Sequence, residues 1–489
     1  MTRAALLLGL SLSLAAPLDG QGHRLRLDAR LNGVSWRGVA LDSIPRTHAV
    51  PTGSGGWTTP EGHQATCDDR WCHFLRAGGV VRGAPLVTQA DLTLWGFGLP
   101  GLRARLNVRH ATDLAEAAWP GTEPDLQLVE GYLEYQRGTL TAQAGRQFLP
   151  SRLGAYGLDG ARVAWQAGSV DVVGYGGWGL ARGALLPVTS PALNPLDDFQ
   201  PRDRQLVAGL EVGVRHRVGD ARIEYRREVD PAVDYFVSER AAVSLALRPV
   251  ARVALVAGAA YDLASAQWGS ADVTATWIGR GANVSLGARR YLPFFDLWTI
   301  WGAFSPVAYH ALHGAVSVAP RRTVQFHLRG ERFRFEESGA ASGLVAVEDR
   351  GWRVETGGSW QPRPDLTVDL GHHAEFGPGS ASLGYEGRLT WRPHQQLTLA
   401  AQAATLRRPL EFRWSDASLT LFGGDLEWRA GDSWRLGLGA TRVTEERDRP
   451  DAAAIDWNQW RFTARITRII GTDVDRSPLP RATRTGTTP

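Results

Sequence analysis

The residues whose spacing comes nearest to a known chemistry are Cys67 and Cys72 in Cys67-Asp-Asp-Arg-Trp-Cys72-His73. Two cysteines followed directly by a histidine are the arrangement that attaches a c-type haem, with His73 as the iron ligand. The spacer here is longer than the usual one, and a polar stretch offers haem little apolar shelter. The competing chemistry is oxidation of the two thiols to a disulfide that tightens an exposed loop, as expected in an oxidising compartment. The disulfide is the expected pairing, and no cofactor is expected. Haem on Cys67, Cys72 and His73 stays as the alternative, and it would imply a periplasmic or extracellular cytochrome partner. His48 and His63 stand near enough in sequence to join such thiols around a metal, but isolated loop histidines are more often solvated and no metal site is expected.

Enzymatic chemistry has less to build on. His310, His313, His372 and His373 are candidate bases, yet none stands at a spacing that marks a nucleophile and base pair. In a strand, His372 and His373 point to opposite faces, so they do not chelate together. Glycine-rich stretches such as Gly174-Tyr-Gly-Gly-Trp178 relieve crowding in strands and do not form a phosphate cradle. The chain is therefore not expected to be an enzyme.

The elements that would position these residues follow from composition and periodicity. The chain has 489 residues, 43% of them hydrophobic, with 54 basic and 50 acidic residues and a formal charge of +4. Basic and acidic residues are interleaved, so nucleic acid is not an expected partner. Every basic residue apart from the histidines is Arg. Residues 1 to 20 combine Arg3, an apolar core from Ala4 to Leu14 and small residues at Ala15 and Ala16, the pattern of a cleaved signal peptide. Beyond it no uninterrupted apolar run reaches the roughly 20 residues of a membrane helix.

What recurs instead is alternation with period 2. Leu102, Ala104, Leu106 and Val108 alternate with Arg103, Arg105, Asn107 and Arg109. Val129, Leu133 and Tyr135 stand against Glu130, Glu134 and Gln136, and Trp460, Phe462, Ala464 and Ile466 against Arg461, Thr463, Arg465 and Thr467. Such strands are longer than those of soluble sheets and suit a tilted bilayer crossing. Short turns alternate with longer segments, among them 37–88, 148–159, 179–204 and 407–416. The pattern predicts an all-β, antiparallel up-and-down transmembrane β-barrel of about 22 strands, in the range 20–24, with short periplasmic turns and long extracellular loops. The barrel is expected over 21–470, with a long first loop at 37–88 and a polar tail at 471–489. Trp95, Trp165, Trp178, Trp277, Trp360, Trp391, Trp428, Trp434 and Trp460 fall near predicted strand ends, where indole favours the headgroup layer.

On this pattern the mature chain resembles bacterial outer-membrane porins in general. Gly145-Arg-Gln147, followed by a loop and then Asp159-Gly160, is similar to a local pattern of several porin families. The tail at 471–489 departs from the porin pattern of a C-terminal aromatic used in assembly. No segment ahead of the barrel is long enough to serve as the plug of an energy-coupled receptor. The resemblance implies an outer-membrane address, contact with outer-membrane lipid and lipopolysaccharide, and insertion by the barrel-assembly machinery. It also implies a channel for passive or gated diffusion of small hydrophilic solutes. A barrel sheath around an electron-transfer cytochrome and a surface receptor or adhesion barrel are the alternatives. The expected pore-lining residues are Arg103, Arg105, Glu130, Glu134, Glu211, Arg215, Arg329, Glu331, Arg353, Arg461 and Arg465. Constriction or plugging of the lumen is expected from 180–205 or from the 37–88 loop, with a surface loop that stays outside as the equal alternative for either.

Overall fold

A computed structural model describes residues 22–471 except 53–55, 116–125, 155, 181–205, 230, 232–235, 293–307, 337–348, 378–379, 412–414 and 448–456. The expected signal peptide, the 180–205 segment beyond Leu180 and the tail after Gly471 lie outside the described residues.

The chain begins with β1 (Gly22–Pro45), then β2 (Val50–Pro51), β3 (Trp57–Thr58), β4 (Gln64–Cys67) and β5 (Trp71–Gly83). It continues through β6 (Pro85–Trp95), β7 (Leu102–Asp113), β8 (Leu126–Arg137), β9 (Leu140–Leu149), β10 (Tyr156–Ala167) and β11 (Val170–Gly179). Next come β12 (Leu206–His216), β13 (Gly219–Val229), β14 (Phe236–Val250), β15 (Val253–Asp262), β16 (Gln267–Ile278) and β17 (Ala282–Tyr291). The next strands are β18 (Tyr309–Arg321), β19 (Val324–Phe335), β20 (Arg350–Arg363), β21 (Leu366–Gly377) and β22 (Ser380–His394). The last are β23 (Leu397–Glu411), β24 (Ser415–Ala430), β25 (Trp434–Arg447) and β26 (Trp457–Gly471).

Apart from β2 to β5, successive strands pair antiparallel, and β26 returns to β1 from Arg24↔Gly471 to Gly33↔Phe462, closing a barrel of 22 strands. Closure leaves no edge strand among the described wall strands, the condition for a sheet in lipid. The seam is also held by side chains: Thr467 Oγ1 donates to Asp28 at 2.6 Å and Arg465 donates to the same carboxylate at 3.0 Å.

Register sorts the two faces. Leu106, Leu133, Ile223, Leu286, Leu312, Leu370, Phe422 and Leu438 stand on one face and are exposed. An apolar belt of this extent is stable against lipid and not against water. The tryptophans expected at strand ends stand there, with Trp165, Trp178, Trp277, Trp360, Trp391, Trp428, Trp434 and Trp460 exposed and Trp95 half-buried. No helix is long and apolar enough to cross a membrane among the described residues. One local expectation is corrected. A bulge between Asn107 and Val108 removes Val129 from the ladder, so Leu128, not Val129, shares the lipid face with Leu133.

Two predicted loops are partly strand. The 407–416 segment is strand up to Glu411 and again from Ser415. In 37–88, the outer half of β1 and all of β5 pair with one another from Val34↔Gly83 to Pro45↔Trp71 and with no other wall strand. A 24-residue strand is more than twice the roughly 10 residues that cross a bilayer, so this hairpin projects beyond the barrel rim. Of the two places open to 37–88, lumen or outside, its pairing supports the outside, because among the described residues it folds on itself.

At the hairpin tip, Cys67 and Cys72 face each other in the β4 and β5 register and are joined as a disulfide. No thiol there is free for haem. The turn between them is tied by Asp68, whose carboxylate accepts from the amides of Trp71 at 2.7 Å and Arg70 at 2.8 Å. Those two bonds hold its carboxyl below the usual carboxylate range. The sign follows: the turn is fully tied above the ordinary carboxylate pKa and loosens as pH falls through the lowered one. Protection of the Arg70 and Trp71 amides from hydrogen exchange is expected to fall in that acid window, and unchanged protection in Asp68→Ala at neutral pH would refute the assignment.

Candidate functional site

The inner face carries the charges. Register places all eleven expected pore-lining residues on it: Arg103, Arg105, Glu130, Glu134, Glu211, Arg215, Arg329, Glu331, Arg353, Arg461 and Arg465. Most are ion-paired along the wall. Arg105 bridges Asp91 at 3.2 Å and Glu130 at 3.0 Å, and Arg103 stands 3.7 Å from Glu134. Arg222 reaches Glu211 and Asp171, each at 3.6 Å, with Arg215 3.7 Å from Asp171. Arg289 and Arg353 converge on the buried Glu331 at 2.7 and 3.1 Å, and Arg353 continues to Glu375 at 2.9 Å. Arg329 lies across from Glu355 in the register, and Arg461 across from Thr441.

Such pairs brace the wall without filling the space inside it. Arg103 and Arg215 are each 57% exposed and Arg465 53%, although all are on the inner face. Paired guanidinium groups that keep this much accessible surface border water.

Among the described residues, one segment leaves the wall. The connection from β9 to β10 turns inward at Pro150–Gly154 and docks on strands three to six places further round the barrel. The Arg152 amide donates to Glu224 of β13 at 3.0 Å, and its guanidinium pairs with Asp272 of β16. Arg226 of β13 donates to the Leu153 carbonyl at 3.1 Å. Leu153 itself is buried against Ala242 of β14 and Ala260 of β15. Gly258 makes room for the arginine, because a Cβ there would stand 2.3 Å from Arg152 Cζ. The turn is closed by the Leu153 amide donating to Ser151 Oγ and by Gly154 at φ +101°, a conformation that favours glycine.

Two arrangements stiffen this inward turn. Beneath it, Arg226 and Glu228 form a pair at 3.2 Å in which both side chains are 1% exposed, with the Arg226 guanidinium 4.8 Å above the Tyr156 ring. Tyr156 packs with Leu149, Leu158 and Val207 in an apolar cluster inside the wall. Behind it, Arg146 of β9 forms a two-pronged pair with Asp159 of β10 at 2.6 and 2.7 Å and donates to the Leu128 carbonyl at 2.9 Å. This joins the Gly145-Arg-Gln147 and Asp159-Gly160 elements noted in the sequence, on the outward face of the hairpin that carries the turn. Gly145 lies across from Gly160, where an added Cβ would meet the Gly131 carbonyl at 2.2 Å.

The candidate catalytic histidines do not come together. His310 and His372 face outward, the first against Glu336 at 2.7 Å and the second stacked on Tyr385. His313 faces inward and shares a hydrogen bond of 3.1 Å with Thr274, while His373 lies across from Glu355. No group of three metal-ligating side chains occurs among the described residues. Arg152, Asp272 and Glu228 were not among the expected site residues. Their signal in sequence was faint: Arg152 is a single charge in a Pro/Gly-bounded turn, and nothing in its spacing names strands more than seventy residues later.

Comparison with solved structures bears on the fold. The ferric enterobactin receptor PfeA of Pseudomonas aeruginosa matches with a TM-score of 0.50 at 10% identity, over 92% of this chain and 80% of that one. OccAB2 of Acinetobacter baumannii matches at 9% identity and a TM-score of 0.38, over 93% of this chain and 98% of that one. A BenF-like porin of Pseudomonas fluorescens Pf-5 matches at 9% identity and 0.39, over 93% and 99%. No protein-family model and no curated protein matches the chain. The closed wall, the lipid-facing apolar belt and the polar interior together make this chain an integral bacterial outer-membrane β-barrel of 22 strands.

Proposed function

We propose that the barrel is an outer-membrane channel for small hydrophilic solutes, narrowed by the inward turn Pro150–Gly154. The observation that carries this reading is the exposure of paired, inward-facing arginines around a wall too wide for its own side chains to fill. Interleaved opposite charges along the inner wall make a lumen surface that favours polar solutes over apolar ones. Cations and anions interleave along the wall, which supports a weak anion preference at most. The covalent haem alternative has no support here, since both thiols are spent on the disulfide. An absorbance spectrum of the purified protein is expected to lack a Soret band.

The decisive test is conductance. Purified protein in a planar bilayer is expected to give discrete, ohmic openings in simple salt. A barrel that inserts, shows the heat-modifiable mobility of a folded wall and never passes current would overturn the channel reading.

A further inference from the structure

The outer face of the barrel, which diffusion through the lumen does not use, carries a feature of its own near the extracellular ends of β17 to β20. Register lines up Arg290, His310, Arg334 and Arg350 in one row across these four strands, all pointing away from the lumen. One step further into the membrane, Arg332 stands between Leu312 and Trp352. Followed the other way, the same row becomes apolar and small: Arg290 lies across from Ala271, Ala271 from Ala259, and Ala259 from Val243. Relative to the strands, the row runs from mid-strand in β14 to the first residue of β20, so the alanines sit deeper and the arginines nearer the rim. A groove of about 960 Å³ follows this line, floored by Ala257, Ala259, Ala271 and Ala288 and headed by the arginines.

Among the described residues the cations outnumber the carboxylates. Glu336 takes Arg290 in a two-pronged pair at 2.8 and 3.2 Å and also meets His310. Asp349 bridges Arg334 at 2.6 Å and Arg350 at 3.4 Å. Among the described residues, two carboxylates thus face four guanidinium groups, and Arg332 has no carboxylate partner. Arg334 and Arg350 remain 57% and 62% exposed, with guanidinium N–H groups left to donate. A bare arginine on the lipid face is costly at depth and becomes favourable beside an anion at the headgroup layer. Planar guanidinium forks match phosphate oxygens in pairs.

We infer that this groove is a binding site for a phosphorylated glycolipid of the outer leaflet, of the lipid A type. A phosphate would sit among Arg332, Arg334 and Arg350, and an acyl chain would lie along the alanine floor. Charge complementarity at the head and the apolar trough below it select one amphiphile over a free anion, because inorganic phosphate uses only the head. The site is independent of whether the lumen conducts.

The test is native mass spectrometry of the detergent-solubilised full chain, titrated with diphosphoryl lipid A, with the same lipid after removal of its phosphates, and with inorganic phosphate. One equivalent of diphosphoryl lipid A is expected to be retained, with affinity about tenfold or more below wild type in the triple variant Arg332→Gln, Arg334→Gln, Arg350→Gln. The dephosphorylated lipid is expected to be lost at the same detergent concentration. The comparison of the two lipids uses the unaltered protein, so a variant that fails to fold leaves the test intact. Equal retention of the two lipids, equal retention by a folded triple variant, or phosphate binding that lipid A does not displace would each overturn the site.

Discussion

Replacing Glu228 by alanine is expected to lower the unfolding free energy by about 3–5 kcal/mol, the cost of leaving a buried charge without its counter-charge. Both members of the Arg226 and Glu228 pair are 1% exposed, so water cannot reach the guanidinium left behind. Arg226 also holds the Leu153 carbonyl and stacks over Tyr156, and its displacement would carry the inward turn with it. Equilibrium urea unfolding in detergent micelles measures the effect. The double replacement Arg226→Met with Glu228→Leu is expected to recover most of the loss, since an apolar pair of similar volume needs no counter-charge. A Glu228→Ala protein that unfolds within about 1 kcal/mol of wild type would mean that the pair is solvated and does not support the turn.

Arg152→Ala is expected to widen the channel. Without the guanidinium, Asp272 loses its ion pair and the turn loses its furthest anchor round the wall, on β16. Single-channel conductance is expected to rise by about 1.5- to twofold, because current through a pore follows its narrowest cross-section. Gly258→Val is expected to act in the same direction without touching any charge, as its side chain would occupy the place of the Arg152 guanidinium. Combining the two is expected to add little, because both remove one anchor. Conductance unchanged in both variants would place the limiting cross-section elsewhere than Pro150–Gly154.

Much of the wall was legible in the chain. The alternation around Leu102 to Arg109 assigns lumen and lipid faces in the sequence, and the structure keeps that assignment, with Arg103 and Arg105 inward and Leu106 outward. The strand number also followed from turn spacing, since each crossing needs a similar length. The failures have a common cause. The 37–88 segment reads as a loop because its Pro and Gly content resembles other connections, yet Val34–Pro45 finds a partner in β5 and becomes strand. A strand beyond the bilayer needs only a backbone partner, and hydropathy does not report one. Val129 was misplaced for a similar reason: a single bulge shifts the phase, and no residue type announces it.

Local patterns therefore determined the membrane address, the two faces and the approximate strand count, because burial in lipid acts on each strand separately. The pairing of Cys67 with Cys72 was also within reach, being a matter of five residues. Only the tertiary structure decided that the Pro150–Gly154 turn enters the lumen and what holds it there. Arg152 meets Asp272 across 120 residues of chain, and Arg290, His310, Arg334 and Arg350 come into one row from four separate strands. Such meetings depend on register between strands, and register is set by closure of the whole barrel, not by any one segment of it.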